Sequence, residues 1–205
     1  MAVTRQKKRR ARRMRAVLKL IQIATIAVLV MGIGGLGVWM LLERRPETTI
    51  TTYPVEYEAL IRQYAAENEI SPAYVAAVIL AESSYRADAV SQVNAQGLMQ
   101  ILPSTGEWIA GKFGETYAEG CLFDPETNVK YGCWYLGFLM RRYDGSMRCA
   151  SAAYHAGQGT VDKWLADPAY SADGKTLDRI ASDATGTYVE RVLKYYEKYE
   201  EIYAS

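Results

Sequence analysis

Apolar and polar positions divide the chain into two unlike parts. From Ile23 to Leu42 twenty residues run without a charge, IATIAVLVMGIGGLGVWMLL. At 1.5 Å per residue such a helix is about 30 Å long, the hydrocarbon thickness of a bilayer. Beyond Pro54 the apolar positions recur at helical spacing, and strand-like alternation is almost absent. Tyr57, Leu60, Ile61, Tyr64 and Ala65 predict a first helix. Ser71-Pro72, a cap residue followed by proline at the first helical position, opens a second that runs to about Ser83. Pro103 opens a segment through Phe113, and Asp124-Pro125 opens a helix to Arg142 that is apolar on most sides and expected to be central. The alanines at 150, 152, 153 and 156 predict a closely packed helix ending at Gly157. A short turn or helix covers 160–166, and Tyr188 to Tyr203 marks a last amphipathic helix. The expectation is an all-α domain of six or seven helices over 54–203. Before it come a basic tail (1–18), a transmembrane anchor (19–42) and a Thr-rich linker (43–53).

Charge supports that division. Residues 1–22 hold nine cations and no acid, whereas residues 46–205 hold 22 acids against 13 cations, a net of −9. Cations directly before an apolar span orient it with the N-terminus in the cytoplasm and the rest outside. A cleavable signal peptide would have a shorter apolar core and an A-x-A-like site. A lipoprotein would need a cysteine just after the span, and the first is Cys121. The body is too acidic for nucleic-acid binding, whose main affinity term needs cations. The basic tract could itself be a nucleic-acid patch or nuclear signal, but its place beside the span explains it as an orientation signal. One His and three scattered Cys argue against a metal site, and no cofactor is expected. A Cys133–Cys149 bridge is geometrically possible, although Cys133 also reads as ordinary core.

One carboxylate stands out. Val75, Val78 and Ile79 form a stripe on the second helix, and Glu82 falls at i+7, on the same face and at the helix C-terminal end. Burial and the negative end of the helix dipole both raise its pKa. A carboxylic acid protonated near neutral pH suits general-acid cleavage of a glycosidic bond. The alternative is a Glu at a frayed helix end that bends into solvent.

The residues after Glu82 bear on that choice. Glu82-Ser83, Ser91, Gly97-Leu98-Met99-Gln100 and Pro103-Ser104-Thr105 follow in order, then Asn128-Val129-x-Tyr131-Gly132, Tyr135-Leu136, Ala153-Tyr154-His155-Ala156-Gly157 and Tyr188-Val189-x-Arg191-Val192. This series resembles the signature of the lytic transglycosylases related to goose-type lysozyme, the soluble-lytic-transglycosylase-like family. The resemblance implies a lysozyme-like helical domain. It also implies cleavage of the β-1,4 bond between N-acetylmuramic acid and N-acetylglucosamine in peptidoglycan, with a 1,6-anhydromuramoyl end as product. Glu82 would first protonate the leaving oxygen, then take the proton of the muramoyl 6-hydroxyl as it attacks C1. This departs from the usual two-carboxylate scheme, and the spacing of Asp88, Asp124 and Asp144 marks none of them as a partner. By the same resemblance Ser91 and Gln100 would hydrogen-bond substrate, Met99 and Leu102 would line the cleft, Tyr154 would position Glu82 or an acetamido group, and Tyr188 would close the other side. His155 stands where the family has Asn, and a cationic His155 near Glu82 would oppose the rise in its pKa. Asn94-Ala95-Gln96 replaces a usual small pair, and the segment before Tyr188 lacks the family's common Pro and Glu. The implied partners are peptidoglycan strands, the membrane and, undefined, cell-envelope machinery. The implied location is the bacterial cell membrane, single-pass. A non-catalytic wall-binding scaffold and a hydrolytic muramidase are the alternatives.

Overall fold

The computed structural model describes residues 53–204. The expected tail, membrane span and most of the linker lie outside the described residues. Among those described there are seven α-helices: α1 (Glu58–Glu67), α2 (Pro72–Ser83), α3 (Pro103–Phe113), α4 (Pro125–Arg142), α5 (Met147–Ala156), α6 (Gln158–Leu165) and α7 (Asp183–Tyr203), with a 3-10 turn at Cys121–Phe123. Extended pairing there is confined to two isolated antiparallel bridges, Val90 with Gln96 and Gln96 with Ile101. None of these helices is long and apolar enough to cross a membrane.

The starts follow the sequence signals. Asp124 caps α4 by accepting from the Thr127 N–H at 2.9 Å. Ser71 holds the cap position of α2 without a side-chain bond to a helix N–H. Pro72 removes one donor, and the Tyr74 and Val75 N–H groups both go to the Ser71 carbonyl, so little is left for the hydroxyl. The last helix starts earlier than its tyrosines suggest. Ser182 accepts from the Thr185 N–H, so α7 begins at Asp183 and adds a first turn that brings Thr185 into the interior.

The helix at the centre is α2, not α4. Every residue from Ala73 to Leu80 is buried. Alanines at 73, 76 and 77 let neighbours approach on all sides, and α2 packs most extensively on α7. The apolar stripe is therefore not a distinct face, because α2 has no polar one. Full burial of each Val or Ile in it contributes about 1.5–3 kcal/mol. Helix α4 keeps Trp134, Tyr135 and Phe138 only half-buried, where they form an aromatic wall. The three cysteines are free thiols; Cys133 and Cys149 are fully buried, and Cys133 is core.

The loop between α2 and α3 is pinned by Asn128, a fully buried amide on α4 with each polar atom bonded. Its Nδ2 donates to the carbonyls of Gln96 (2.9 Å) and Leu122 (2.7 Å), and its Oδ1 accepts from the Met99 N–H (2.7 Å). Gly97 is required at the turn. Its φ is +75°, and a Cβ there would lie 2.1 Å from the Leu122 carbonyl oxygen.

Candidate active site

Glu82 is the penultimate residue of α2, placed where this buried helix leaves the core. It opens into a cleft of about 490 Å³ lined also by Ser91, Gln100, Leu102, Thr105, Tyr135, Tyr154 and His155. Burial raises its pKa from the ordinary carboxylate value to about 7, against the lowering influence of the Tyr188 hydroxyl and the Arg191 guanidinium. The group is thus poised to exist as an acid near neutral pH, and the frayed, solvated alternative is not what the structure shows.

The cleft floor is the loop that Asn128 holds. Ser91 Oγ accepts from the Ala95 N–H at 3.0 Å, and its own proton is left for another acceptor. Gln100 adopts a left-handed backbone, φ +48°, and its amide nitrogen donates to the Ala89 and Gly97 carbonyls. Its amide oxygen remains for a ligand. Positive φ at a non-glycine residue costs about 1–3 kcal/mol and persists only where its surroundings hold it. Tyr154 on α5 donates to the Met99 carbonyl oxygen at 2.7 Å, which fixes its ring at the cleft wall. Burial, and after it the neighbouring Glu82, hold the phenol protonated.

Two expected site residues stand elsewhere. Met99 does not line the cleft. Its side chain is fully buried against Gly132, where a Cβ would come within 2.1 Å of its sulfur, so it contributes backbone alone. Tyr188 does not close the far side. It lies buried behind Glu82, under the ring of His155 (centroids 4.6 Å apart), with its hydroxyl near the carboxylate but completing no hydrogen bond of ordinary geometry. His155 does line the cleft, and its Nδ1 shares a hydrogen bond with Thr185 Oγ1 at 3.1 Å. Burial and then the Arg191 charge lower its pKa. The cation that acts on Glu82 is Arg191, which lies 5.8 Å from the Tyr188 ring centre. Thr105, Tyr135, Asn128 and Arg191 all stand in the motif blocks, but spacing alone assigned them no role. No group of three metal-ligating side chains occurs among the described residues.

The transglycosylase SLT domain model matches residues 59–176, more than half of the chain. The chain belongs to that family. The chain is 34% identical over 161 residues to the soluble lytic murein transglycosylase of Escherichia coli K12, covering 77% of this chain and 24% of that protein. It is 32% identical over 117 residues to a membrane-bound lytic murein transglycosylase C of Yersinia pestis, covering 52% of this chain and 32% of that one. Its fold superimposes with a TM-score of 0.68 on an inactive glutamate-to-glutamine mutant of the lytic transglycosylase Slt from Pseudomonas aeruginosa, at 29% identity over 78% of this chain and 26% of that one. The chain thus spans about a quarter of the length of its soluble relatives.

Proposed function

We propose that this SLT domain cleaves the β-1,4 bond between N-acetylmuramic acid and N-acetylglucosamine in peptidoglycan and leaves a 1,6-anhydromuramoyl end. The observation that carries the reading is Glu82, raised to about 7 and open to a cleft that also presents Ser91, Gln100, Tyr154 and His155, with no second carboxylate lining it among the described residues. Protonated Glu82 gives its proton to the leaving oxygen, and the C1–O bond breaks. The resulting carboxylate takes the proton of the 6-hydroxyl as that oxygen bonds to C1, so Glu82 ends protonated. Ser91 and Gln100 offer a hydroxyl proton and an amide oxygen to the sugar, and Tyr154 walls the site. The names of the relatives support this class of activity, and the Pseudomonas relative is inactive when a glutamate becomes glutamine.

The reading extends to the whole chain. Residues 19–42 anchor it in a bacterial cell membrane, residues 1–18 stay in the cytoplasm, and the domain at 54–203 faces the wall. The nine cations before an uncharged span support that orientation. The decisive experiment is digestion of purified peptidoglycan by the full chain with mass analysis of the fragments. Anhydro ends one water lighter than hydrolytic ends are expected. Full-mass reducing ends would identify a hydrolytic muramidase, and an undigested wall a scaffold.

A further inference from the structure

A second depression adjoins the Glu82 cleft and has no part in the chemistry above. It holds about 310 Å³ and is lined by Ser104, Thr105, Trp108, Tyr135 and Gln158. Thr105 and Tyr135 line both spaces, so the two share an edge. Trp108 on α3 is the largest side chain left open there, with 38% of its surface exposed. Covering the open part of such an indole is favourable in proportion to the apolar area removed from water. This one is also held firmly. Trp134, Tyr135 and Phe138 of α4 meet it edge-on, at centroid distances of 5.3, 6.1 and 5.7 Å. Trp134 and Tyr135 each stack on Phe138 in turn. Lys112, one turn along α3, places its ammonium 5.5 Å from the indole centre and is the one cation over the ring among the described residues.

We propose that Trp108 is a stacking platform for a sugar ring of the glycan strand, a subsite outside the bond-cleaving cleft that sets a preference for longer strands. The inference rests on the proposed action on peptidoglycan glycan. A pyranose presents a face of C–H groups and a rim of hydroxyl and acetamido groups. The depression offers the complement: an aromatic surface beside the Ser104 and Thr105 hydroxyls and the Gln158 amide. A linear polymer whose reacting bond lies at Glu82 must leave the cleft somewhere, and the shared Thr105–Tyr135 edge leads directly onto the indole. Pre-fixing the ring on α4 lowers the ordering cost of binding. Lys112 is expected to yield its place over the ring to the sugar.

The test uses the full chain with Glu82→Gln, which binds without turnover, and titrates it calorimetrically with peptide-free glycan strands of two and of eight sugars. The eight-sugar strand is expected to bind more tightly. Adding Trp108→Ala should weaken binding of that strand about five- to tenfold and abolish the gain with length. Trp108→Phe should retain most of the gain. Equal weakening for both lengths, or a change in near-UV circular dichroism outside the contribution of Trp108 itself, would assign Trp108 to packing and overturn the platform. Unchanged affinities would overturn it as well. Failure of Glu82→Gln to bind either strand would overturn the platform together with the proposed substrate. Absence of anhydro ends from the unmodified chain, with length-dependent binding intact, would remove the proposed reaction and leave the platform standing.

Discussion

At the residue scale the chemistry is concentrated in Glu82. Replacing it with Gln keeps the shape and removes the dissociable proton. One group serves as both acid and base, so kcat is expected to fall by at least about 10²–10⁴-fold, measured by release of soluble fragments from peptidoglycan. Retained activity would remove Glu82 from the mechanism. The starting form is the protonated acid, so kcat/KM should decline as pH rises through about 7. Arg191 is the cation that opposes that protonation, so Arg191→Gln should move the alkaline limb upward, whereas His155→Asn should leave it in place. A limb that follows His155 instead would reverse that assignment. The raised pKa has a stability sign as well. The folded state holds the Glu82 proton more tightly than the unfolded chain, so its contribution is complete below about 4.5 and is lost as pH rises to about 7. Glu82→Gln should therefore gain stability over the parent at pH 8 relative to pH 4, by at most about 3 kcal/mol, read from unfolding midpoints at the two pH values.

At the element scale the helices were legible because their signals are local. Proline at the first turn, Asp124 at a cap and glycine after Ala156 each act within a few residues. Which helix is central was not legible. Helix α4 has the larger apolar side chains, but α2 has the small ones that allow packing on every side. Met99 and Tyr188 fail for a related reason. A motif gives the order of residues, whereas the direction of a side chain depends on distant partners such as Gly132 for Met99 and His155 for Tyr188. Asn128 is the partner that connects elements, tying α4 to the loop that carries Gln100. Asn128→Ala would strand the Met99 N–H and the Leu122 carbonyl, whereas the Gln96 carbonyl keeps the Ile101 N–H, at about 1–3 kcal/mol for each buried group left unpaired. The expected loss is about 3 kcal/mol or more by urea unfolding, and less than about 1 would show that the loop is held by other means. Asn128→Asp keeps the Met99 bond but sets a carboxylate against two carbonyls. It should be at least as damaging at neutral pH, with partial relief on acidification as the protonated acid regains one donor.

At the scale of the whole molecule, the acidic domain and the basic, apolar N-terminal region make opposite demands. Net −9 over residues 46–205 gives that part no electrostatic attraction to an anionic lipid surface. The proposed membrane retention then rests on residues 1–42, and either of two forces could supply it. The nine cations could adhere to anionic headgroups, or the uncharged twenty residues could enter the hydrocarbon. Salt separates them. At 1 M ionic strength charges are screened over about 3 Å, so adhesion through the basic tract alone would be lost, whereas a buried apolar segment would hold more firmly. The full chain is expected to sediment with membranes after a 1 M salt wash and to be released by detergent. Deleting 23–42 while keeping all nine cations should free it at that salt. Release of the intact chain by salt would mean that the tract binds peripherally. A shortened chain in the soluble fraction would mean that the segment is a cleaved signal. Orientation is read in the same preparation. With the wall opened and the membrane sealed, protease should digest residues 46–205 and spare the basic tail, because translocating nine cations is the costlier insertion. Protection of the domain instead would put Glu82 on the side of the membrane away from the wall, and the proposed substrate would fall with it.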